Sequence, residues 1–333
     1  MVIILTKDLK EGIKLKESLK KFNCEFENVE CITKKDILIS SEIVHNIELI
    51  FSTWYMPTFT IEEIDNYFPS LKAIFYTAGT VKYFAEPFLK KGIKVYSASK
   101  ANAIPVSEFV VSQIILANKG YFQSQKEFKK PFWKFSFKKA RLIAESKSGN
   151  YKAKIGIIGC GNIGSQVAKL LRSYNLEVYV YDPFLSDDYL SVLNVKRATL
   201  EEIISTCDVI TNHLPDIQST KGIFNYSLLS LMKENATFIN SGRGNQVVEK
   251  DLAKIMRKKP NACALLDVTK LEPLFPWSPL FRRKNIFITP HISGSLSGEF
   301  ERMVENMIIA SQDFLKCKKN ECEVDLEHLY KQA

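Results

Sequence analysis

Five charged or titratable side chains stand at or just beyond the ends of apolar runs: His213 after CDVITN, Arg243 after ATFINSG, Asp267 in ACALLDV with Glu272 beyond it, and His291 after NIFITP. A guanidinium such as that of Arg243 can hold a carboxylate through two parallel hydrogen bonds and polarise the carbonyl beside it, a geometry lysine cannot reproduce. An imidazole gives and takes a proton near neutral pH, which makes His291 a candidate acid and base. A carboxylate bonded to that imidazole, here Glu272, would fix its orientation and favour its charged form. Each residue alone has a plainer reading: a surface ion pair, a solvated carboxylate before a proline, a histidine capping a loop. Together they make the set that hydride reduction of a 2-oxo acid requires. Asp267 is expected to hold the carboxamide of a nicotinamide.

A second group of residues concerns phosphate. Gly159-Cys160-Gly161-Asn162-Ile163-Gly164 follows the apolar run KIGII and opens the helical pattern SQVAKLLRSY. Glycines there permit a tight turn and a close approach of backbone to a pyrophosphate, whose charge then sits at a helix N-terminus. The next apolar run, LEVYVYD, ends in Asp182, placed to accept hydrogen bonds from the ribose hydroxyls of an adenosine. A carboxylate there repels a ribose phosphate and Pro183-Phe184 supplies no arginine, so NAD is expected rather than NADP.

These residues need a scaffold that brings strand ends to one edge. The N-terminal part alternates strand and helix patterns: VIILT, a helix over Leu9 to Phe22, IELIFST, IEEIDNYF, LKAIFYT, a helix after Thr80, and IKVYSA. A long helical stretch from Pro105 to Gln125 and a basic, aromatic segment follow. Then come KIGIIG, LEVYVYD, CDVITNH, ATFINS, ACALLDV and NIFITP, nearly continuous apolar runs of the kind found where both sheet faces are covered. The expected fold is α/β, with two doubly wound parallel-sheet domains: a Rossmann-type cofactor domain over 102–295 and a flavodoxin-like substrate domain over 1–101. After Pro290 only a helical pattern from Glu299 through Leu315 and a polar tail remain. A lone amphipathic helix must dock on something already built, so 296–333 is assigned to the first domain, which becomes discontinuous.

The bulk numbers fit. The chain has 333 residues, 46% hydrophobic and 25% charged, in the globular range for two domains. The start MVIILTKDLK is too short for a secretory apolar region, and no run approaches a membrane span. Seven cysteines, an odd number with no C-x-x-C pair, fit reduced thiols in a cytoplasmic protein and argue against a metal site. The net charge of +9 comes from scattered lysines, with one dense stretch from Lys126 to Arg141. No nucleic-acid-binding module accompanies it. Its interleaved Phe128, Phe132, Trp133, Phe135 and Phe137 are too apolar for free coil, and packing against a second subunit is the sharper reading.

The stretches IGIIGCGNIGSQVAKLL, VYVYDP, DVITNHLPDIQSTKGIFN, ATFINSGRGNQVVEKDLAKIM, ALLDVTKLEPLFPWSPLF and ITPHISGS resemble, in order, those of the D-isomer-specific 2-hydroxyacid dehydrogenases. That resemblance implies a catalytic group of Arg243, Glu272 and His291, in agreement with the reading of the residues themselves. It implies cofactor contacts from Gly159, Gly161, Asn162, Ile163, Gly164 and Asp182, from His213, Pro215 and Thr220, and from Ser241, Asp267 and Val106. FYTAGTVKYF is similar to the family's glycine loop, whose amides bind the substrate carboxylate, so Gly79, Thr80 and Val81 are expected at the substrate with Arg243. Trp54 and Met56 would face it too, ordinary core packing being the alternative. The implied reaction moves a hydride between nicotinamide and C2 of a small anionic D-2-hydroxy or 2-oxo acid. The family's homodimer arm corresponds in position to Gly120–Asn150. Thr269-Lys270-Leu271 and Ser165 depart from the family's usual residues and leave the substrate open. Two alternatives remain at this point: an NAD(H)-sensing, corepressor-like protein on the same fold, and related redox chemistry such as that of formate dehydrogenase, which pairs its histidine with glutamine where this chain has Glu272.

Overall fold

The computed structural model describes residues 1–39 and 45–331. They fall into two compact units, Met1–Ala103 with Ser295–Ala333, and Ile104–Gly294. In the first, short apolar runs make β1 (Val2–Leu5), β2 (Glu30–Ile32), β3 (Leu49–Ser52), β4 (Ala73–Tyr76) and β5 (Lys94–Ser97). They pair in parallel in the order β2-β1-β3-β4-β5. This is the flavodoxin-like doubly wound order, which reverses between β1 and β3.

Successive strand residues point to opposite faces, and the sheet has a core on each. Ile3, Leu5, Ile50, Ile74 and Val95 join one, whereas Ile4, Phe51, Phe75 and Tyr96 join the other. The second face is covered by the helix Leu9–Phe22, through Leu15 and Leu19, and by the helix Glu299–Leu315, through Phe300, Met303, Val304 and Met307. The spacing of those four buried residues is the stripe of an amphipathic helix. The polar tail, assigned no strand from its sequence, does supply one: Glu323–Val324 pairs antiparallel with β5, Val324 opposite Val95. Two residues are too few for an alternating pattern to register.

The second unit carries β6 (Lys154–Ile158), β7 (Glu177–Tyr181), β8 (Lys196–Arg197), β9 (Val209–Asn212), β10 (Thr237–Asn240), β11 (Cys263–Leu266) and β12 (Ile286–Ile288). All pair in parallel, in the order β12-β11-β10-β9-β6-β7-β8. This is the Rossmann order extended by one strand, and it reverses between β6 and β9. Ile158, Asn212, Asn240 and Leu266 lie in register, so four strands end level at one edge. Ligands of open parallel sheets bind beyond that edge, at the reversal.

The helix expected from Pro105 begins earlier and ends sooner, spanning Ser99–Asn118 with Pro105 inside it. After a break at Gly120, whose φ is +66°, two shorter helices form, Tyr121–Phe128 and Trp133–Glu145. Phe128 meets Phe137 edge to face, and Ser124 Oγ donates to Ala140 O at 3.0 Å. The pair is tied to its own unit by Gln123 Nε2 donating to Ala262 O (3.1 Å) and Lys126 Nζ to Lys284 O (3.0 Å). No helix among the described residues is long and apolar enough to cross a membrane.

Candidate active site

The glycine turn between β6 and the helix Asn162–Leu171 shows three demands on residue type. Gly159 has φ +83°, and a Cβ there would lie 2.8 Å from the His213 backbone, across the reversal in strand order. Gly164 lets the helix close on the turn, since a Cβ would stand 2.1 Å from Gly159 O. Gly161 differs: an added Cβ would meet nothing within 4 Å. Bareness at that position is not required by the protein's own packing, and it fits the passage of a pyrophosphate. The helix start, with Gly161 as N-cap and Asn162 and Ile163 in its first turn, has no side-chain cap, which leaves its amides for an anion. Ser165 turns inward, its Oγ donating to Asn162 O at 3.3 Å.

Asp182 follows β7 and is pinned by two amides, Cys160 N to Oδ2 (2.8 Å) and Phe184 N to Oδ1 (3.0 Å). Each oxygen keeps lone pairs for a ribose hydroxyl. At the reversal, His213 is buried, with Nε2 3.0 Å from Thr211 Oγ1 and Nδ1 without a partner among the described residues. Burial pushes its pKa down to about 3, so the ring is neutral. Ser241, beyond β10, is buried, and its Oγ too has no partner among the described residues. Buried polar atoms are costly unless something pairs them, and these two, beside the glycine turn and the level strand ends, suit a cofactor rich in polar groups. Pro215 O accepts from Thr220 Oγ1 (2.6 Å), which closes the 215–220 loop. Val106 lies inside, packed with Ile155, Ile157 and Val167. Its exposure is 5%, and its side chain packs in that core.

The three expected catalytic residues come together beyond β10, β11 and β12. His291 Nδ1 is 2.8 Å from Glu272 Oε2, and Thr269 N donates to Glu272 Oε1 at 3.1 Å. Nδ1 facing a carboxylate carries its proton, so proton exchange falls to Nε2, which has no partner among the described residues. Arg243 is half-buried, and its one side-chain hydrogen bond among the described residues runs from Nη1 to Gly242 O (2.9 Å). Burial lowers its pKa from the ordinary value, while the nearby carboxylates of Asp216 and Glu272 raise it. The guanidinium stays charged.

Asp267, expected at the nicotinamide, is 2% exposed and spends both oxygens on the histidine's loop. Oδ1 accepts from Thr289 Oγ1 (2.6 Å) and Ile292 N (2.9 Å), and Oδ2 from Ser293 N (2.9 Å). His291 N donates to Asp267 O (3.0 Å), and His291 sits at φ +52°, a conformation that needs such bracing outside glycine.

Four polar residues at this edge escaped the sequence reading. Asn212, Asn240 and Gln246 form a buried amide knot, and Arg197 ends β8 against the backbone of Asp182. Amides and a lone arginine carry no motif, and a two-residue strand leaves no periodicity to place Arg197. The reading that no arginine stands near the ribose acid holds along the chain but not in space.

In the first unit, the loop after β4 carries Gly79 and Thr80, both partly exposed, with Gly79 O accepting from Ser97 Oγ (2.5 Å). Val81 turns its side chain into the core, so only its backbone is available. Trp54 follows β3 at that sheet's own reversal, 41% exposed and stacked on Phe300 at 5.7 Å. Met56 has no exposed surface and packs in the core with Ile50, Phe59 and Phe84. This is the core packing held open as the alternative for Met56, a place that suits an apolar thioether.

Two outcomes follow from the turn and from His213. Gly161→Ala is expected to keep the melting temperature within a few degrees while weakening NADH binding by about tenfold or more. Gly164→Ala should instead lower the melting temperature, by overpacking worth roughly 1–3 kcal/mol. Equal losses of stability in both would contradict the distinction. His213 takes a proton readily only when unfolded, so its stabilising contribution is present above pH 6.5 and is lost as pH falls toward about 3. Acid melts of His213→Asn should accordingly show a shallower loss than wild type, and identical slopes would refute the buried neutral ring.

The family model described as "D-isomer specific 2-hydroxyacid dehydrogenase, NAD binding domain" matches residues 111–293, more than half of the chain. Similar sequences include a D-3-phosphoglycerate dehydrogenase of Haemophilus influenzae, 33% identical over 213 residues that cover 62% of this chain and 49% of that protein. A putative 2-hydroxyacid dehydrogenase of Bacillus subtilis is 28% identical over 72% of this chain and 68% of its own length. The chain spans about half the length, or less, of the first phosphoglycerate dehydrogenases it matches. Among solved structures, the NAD-complexed D-isomer specific 2-hydroxyacid dehydrogenase of Lactobacillus delbrueckii ssp. bulgaricus superimposes with a TM-score of 0.74 over 97% of this chain and 99% of that one. At 18% identity this likeness speaks for the fold alone. With its glycine turn, Asp182 and level strand ends in the matched region, the chain belongs to the D-isomer specific 2-hydroxyacid dehydrogenase family and carries that family's NAD-binding domain.

Proposed function

We propose that the protein is an NAD-dependent oxidoreductase that interconverts a small 2-oxo acid and its D-2-hydroxy acid. The observation that carries this reading is the Glu272–His291 pair at 2.8 Å, beside the charged Arg243, at the strand edge of an NAD-binding sheet. The bound dinucleotide supplies or receives the hydride. Arg243 holds the substrate carboxylate and polarises the adjacent carbonyl. His291 delivers a proton from Nε2 to the carbonyl oxygen and takes it back in the oxidative direction. Glu272 keeps Nδ1 protonated and the ring aimed, and Asp267 holds the loop that carries the ring. The Glu272–His291 pair is half-exposed, so its value lies in orientation rather than in stability, as for surface pairs generally. By the family resemblance, the amides of Gly79–Val81 and the exposed Trp54, all in the first unit, are candidate substrate contacts. In this reading 1–101 with 296–333 is the substrate domain. The six cysteines described as free suit a cytoplasmic enzyme.

Turnover tests this reading directly: loss of NADH absorbance is followed with 2-oxo acids from glyoxylate and pyruvate to aromatic and branched ones, and D-3-phosphoglycerate is tried in the oxidative direction. His291→Ala should lower kcat by roughly 100- to 10,000-fold, whereas Arg243→Ala should raise KM as well as lower kcat. Normal NADH binding with no turnover of any acid would refute the enzymatic reading and favour a cofactor sensor.

We also propose a homodimer through the paired helices Tyr121–Phe128 and Trp133–Glu145. Phe128, Phe132, Trp133, Phe135 and Phe137 are all more than half exposed, and a groove of about 620 Å³ runs between Phe128, Trp133 and Phe137. Apolar clustering of this kind marks an interface. Light scattering is expected to give twice the 38.1 kDa chain mass, and Trp133→Glu with Phe135→Glu should return it to the single-chain value. A wild-type protein at the single-chain mass would end this proposal.

A further inference from the structure

The loop after β4 is held by a hydroxyl that none of the roles above employs. Three buried hydroxyls line the carboxyl edge of the first sheet: Ser52 at the end of β3, Thr77 just past β4 and Ser97 at the end of β5. The first two donate to strand backbone, Ser52 Oγ to Leu5 O (2.6 Å) and Thr77 Oγ1 to Ser52 O (2.7 Å). Ser97 Oγ reaches instead to the loop, donating to Gly79 O at 2.5 Å, with Ala78 O 3.2 Å away. Ser97 is itself fixed: it lies opposite Tyr76 of β4, its N donates to Cys322 O (2.9 Å), and its Oγ accepts from Ser99 N (3.2 Å).

Holding that carbonyl also aims the next amide. The Gly79–Thr80 peptide is trans, and in a planar trans peptide the carbonyl and the following N–H point in opposite directions. With Gly79 O drawn to a hydroxyl that is buried, Thr80 N–H is turned away from it, on a residue that is partly exposed. The far end of the loop is fixed as well, since Val81 puts its side chain in the core and its carbonyl accepts from Phe84 N (3.1 Å) and Ala85 N (2.9 Å). Between these anchors the N–H groups of Gly79, Thr80 and Val81 have no partner among the described residues. Backbone donors are rarely left unpaired unless water or a ligand takes them, and successive ones suit an acceptor with several lone pairs, such as a carboxylate.

We propose that Ser97 is a positioning residue for the substrate: by holding Gly79 O inward it turns the amides of the loop, Thr80 N–H above all, outward to receive the carboxylate of a 2-oxo acid. Ser97 touches no reactant. Without its hydroxyl the Gly79–Thr80 peptide is free to rotate and present its carbonyl oxygen, which repels a carboxylate. This rests on the reading that the Gly79–Val81 loop binds the substrate, and it names the residue that keeps the loop competent to do so.

Two measurements on the full chain test the proposal. Steady-state NADH oxidation is followed with the acid that wild type reduces best among glyoxylate, pyruvate and phenylpyruvate. The variants are Ser97→Ala; Ser97→Cys, close in size but a weak donor; Ser97→Thr, which keeps the hydroxyl; and Ser52→Ala, which deletes a matching hydroxyl that does not touch the loop. Melting curves confirm that each is folded. KM should rise about tenfold in Ser97→Ala and Ser97→Cys, with kcat and NADH affinity within about threefold of wild type, and Ser97→Thr and Ser52→Ala should keep KM near the wild-type value. The second measurement follows the amide signal of Thr80 by nitrogen-15 NMR, with NAD+ and the same acid so that no turnover occurs. The signal should shift in wild type and stay in place in Ser97→Ala at the same acid concentration. An unchanged KM in Ser97→Ala and Ser97→Cys, an equal rise in Ser52→Ala, or a folded Ser97→Thr that matches the alanine variant overturns the role of Ser97. A wild-type Thr80 signal that ignores the acid overturns the loop as the carboxylate site, and wild type that reduces no acid overturns the enzymatic reading; the proposal falls with either.

Discussion

Three amide side chains with no exposed surface hold the carboxyl edge of the second sheet: Asn212 at the end of β9, Asn240 at the end of β10, and Gln246 beyond Arg243. Asn212 Nδ2 donates to Asn240 Oδ1 (2.9 Å) and Gln246 Oε1 (2.5 Å), and Gln246 Nε2 donates to Leu214 O (2.8 Å) and Pro215 O (3.0 Å). Gln246 Oε1 also receives Arg243 N (3.2 Å), and Asn240 Oδ1 receives Gly242 N (3.1 Å). The loop that carries Arg243 and the segment that follows His213 are therefore one hydrogen-bonded body. In a dry interior such bonds are strong when complete and expensive when one member is missing. The knot sets where Arg243 leaves the backbone, so the position of the cation is a property of the core rather than of a free loop.

The same strategy serves the histidine, with carboxylates in place of amides. Asp267 is buried and holds Ile292 N, Ser293 N and Thr289 Oγ1, whereas Glu272 is exposed and holds the ring. Two residues five apart thus divide one task. The inner acid fixes the backbone in its left-handed conformation, and the outer acid fixes the side chain and the identity of the protonated nitrogen. An exposed Glu272 could not do the first, because solvent would compete for its oxygens. A buried Asp267 could not easily trade protons with a substrate, because it has no access to one.

What could be read in the sequence tracks how local the information is. Arg243, Glu272 and His291 stand at strand ends within recognisable stretches, and the glycine turn is six consecutive residues, so type and spacing suffice. The long helices Leu9–Phe22 and Glu299–Leu315 were legible because their apolar stripes span several turns. Strands of two residues, Lys196–Arg197 and Glu323–Val324, show no pattern of their own and exist because a neighbour is already in place. Asn212 and Gln246 look like ordinary polar residues, yet their partners are 28 to 34 positions away, and nothing local announces burial. Met56 and Val106 show the opposite limit: each lies in a stretch near the candidate site along the chain, but its apolar side chain packs in a core.

The glycine turn shows why the site and the sheet cannot be varied independently. Gly159 is pressed by the backbone of His213 from one side and, through its carbonyl, by Gly164 from the other. A side chain at Gly159 would push β6 and β9 apart at the point where the strand order reverses, and one at Gly164 would push the helix off the turn. Next to Gly159, Cys160 N donates to the Asp182 carboxylate, so the spacing of β6 and β7 bears on where Asp182 points. Gly161 alone is free of this constraint, with no protein atom near the position of a Cβ. Two glycines of the motif are thus explained by the protein's own close packing and the third by nothing in the protein, a pattern that fits a turn beside which a phosphate can pass.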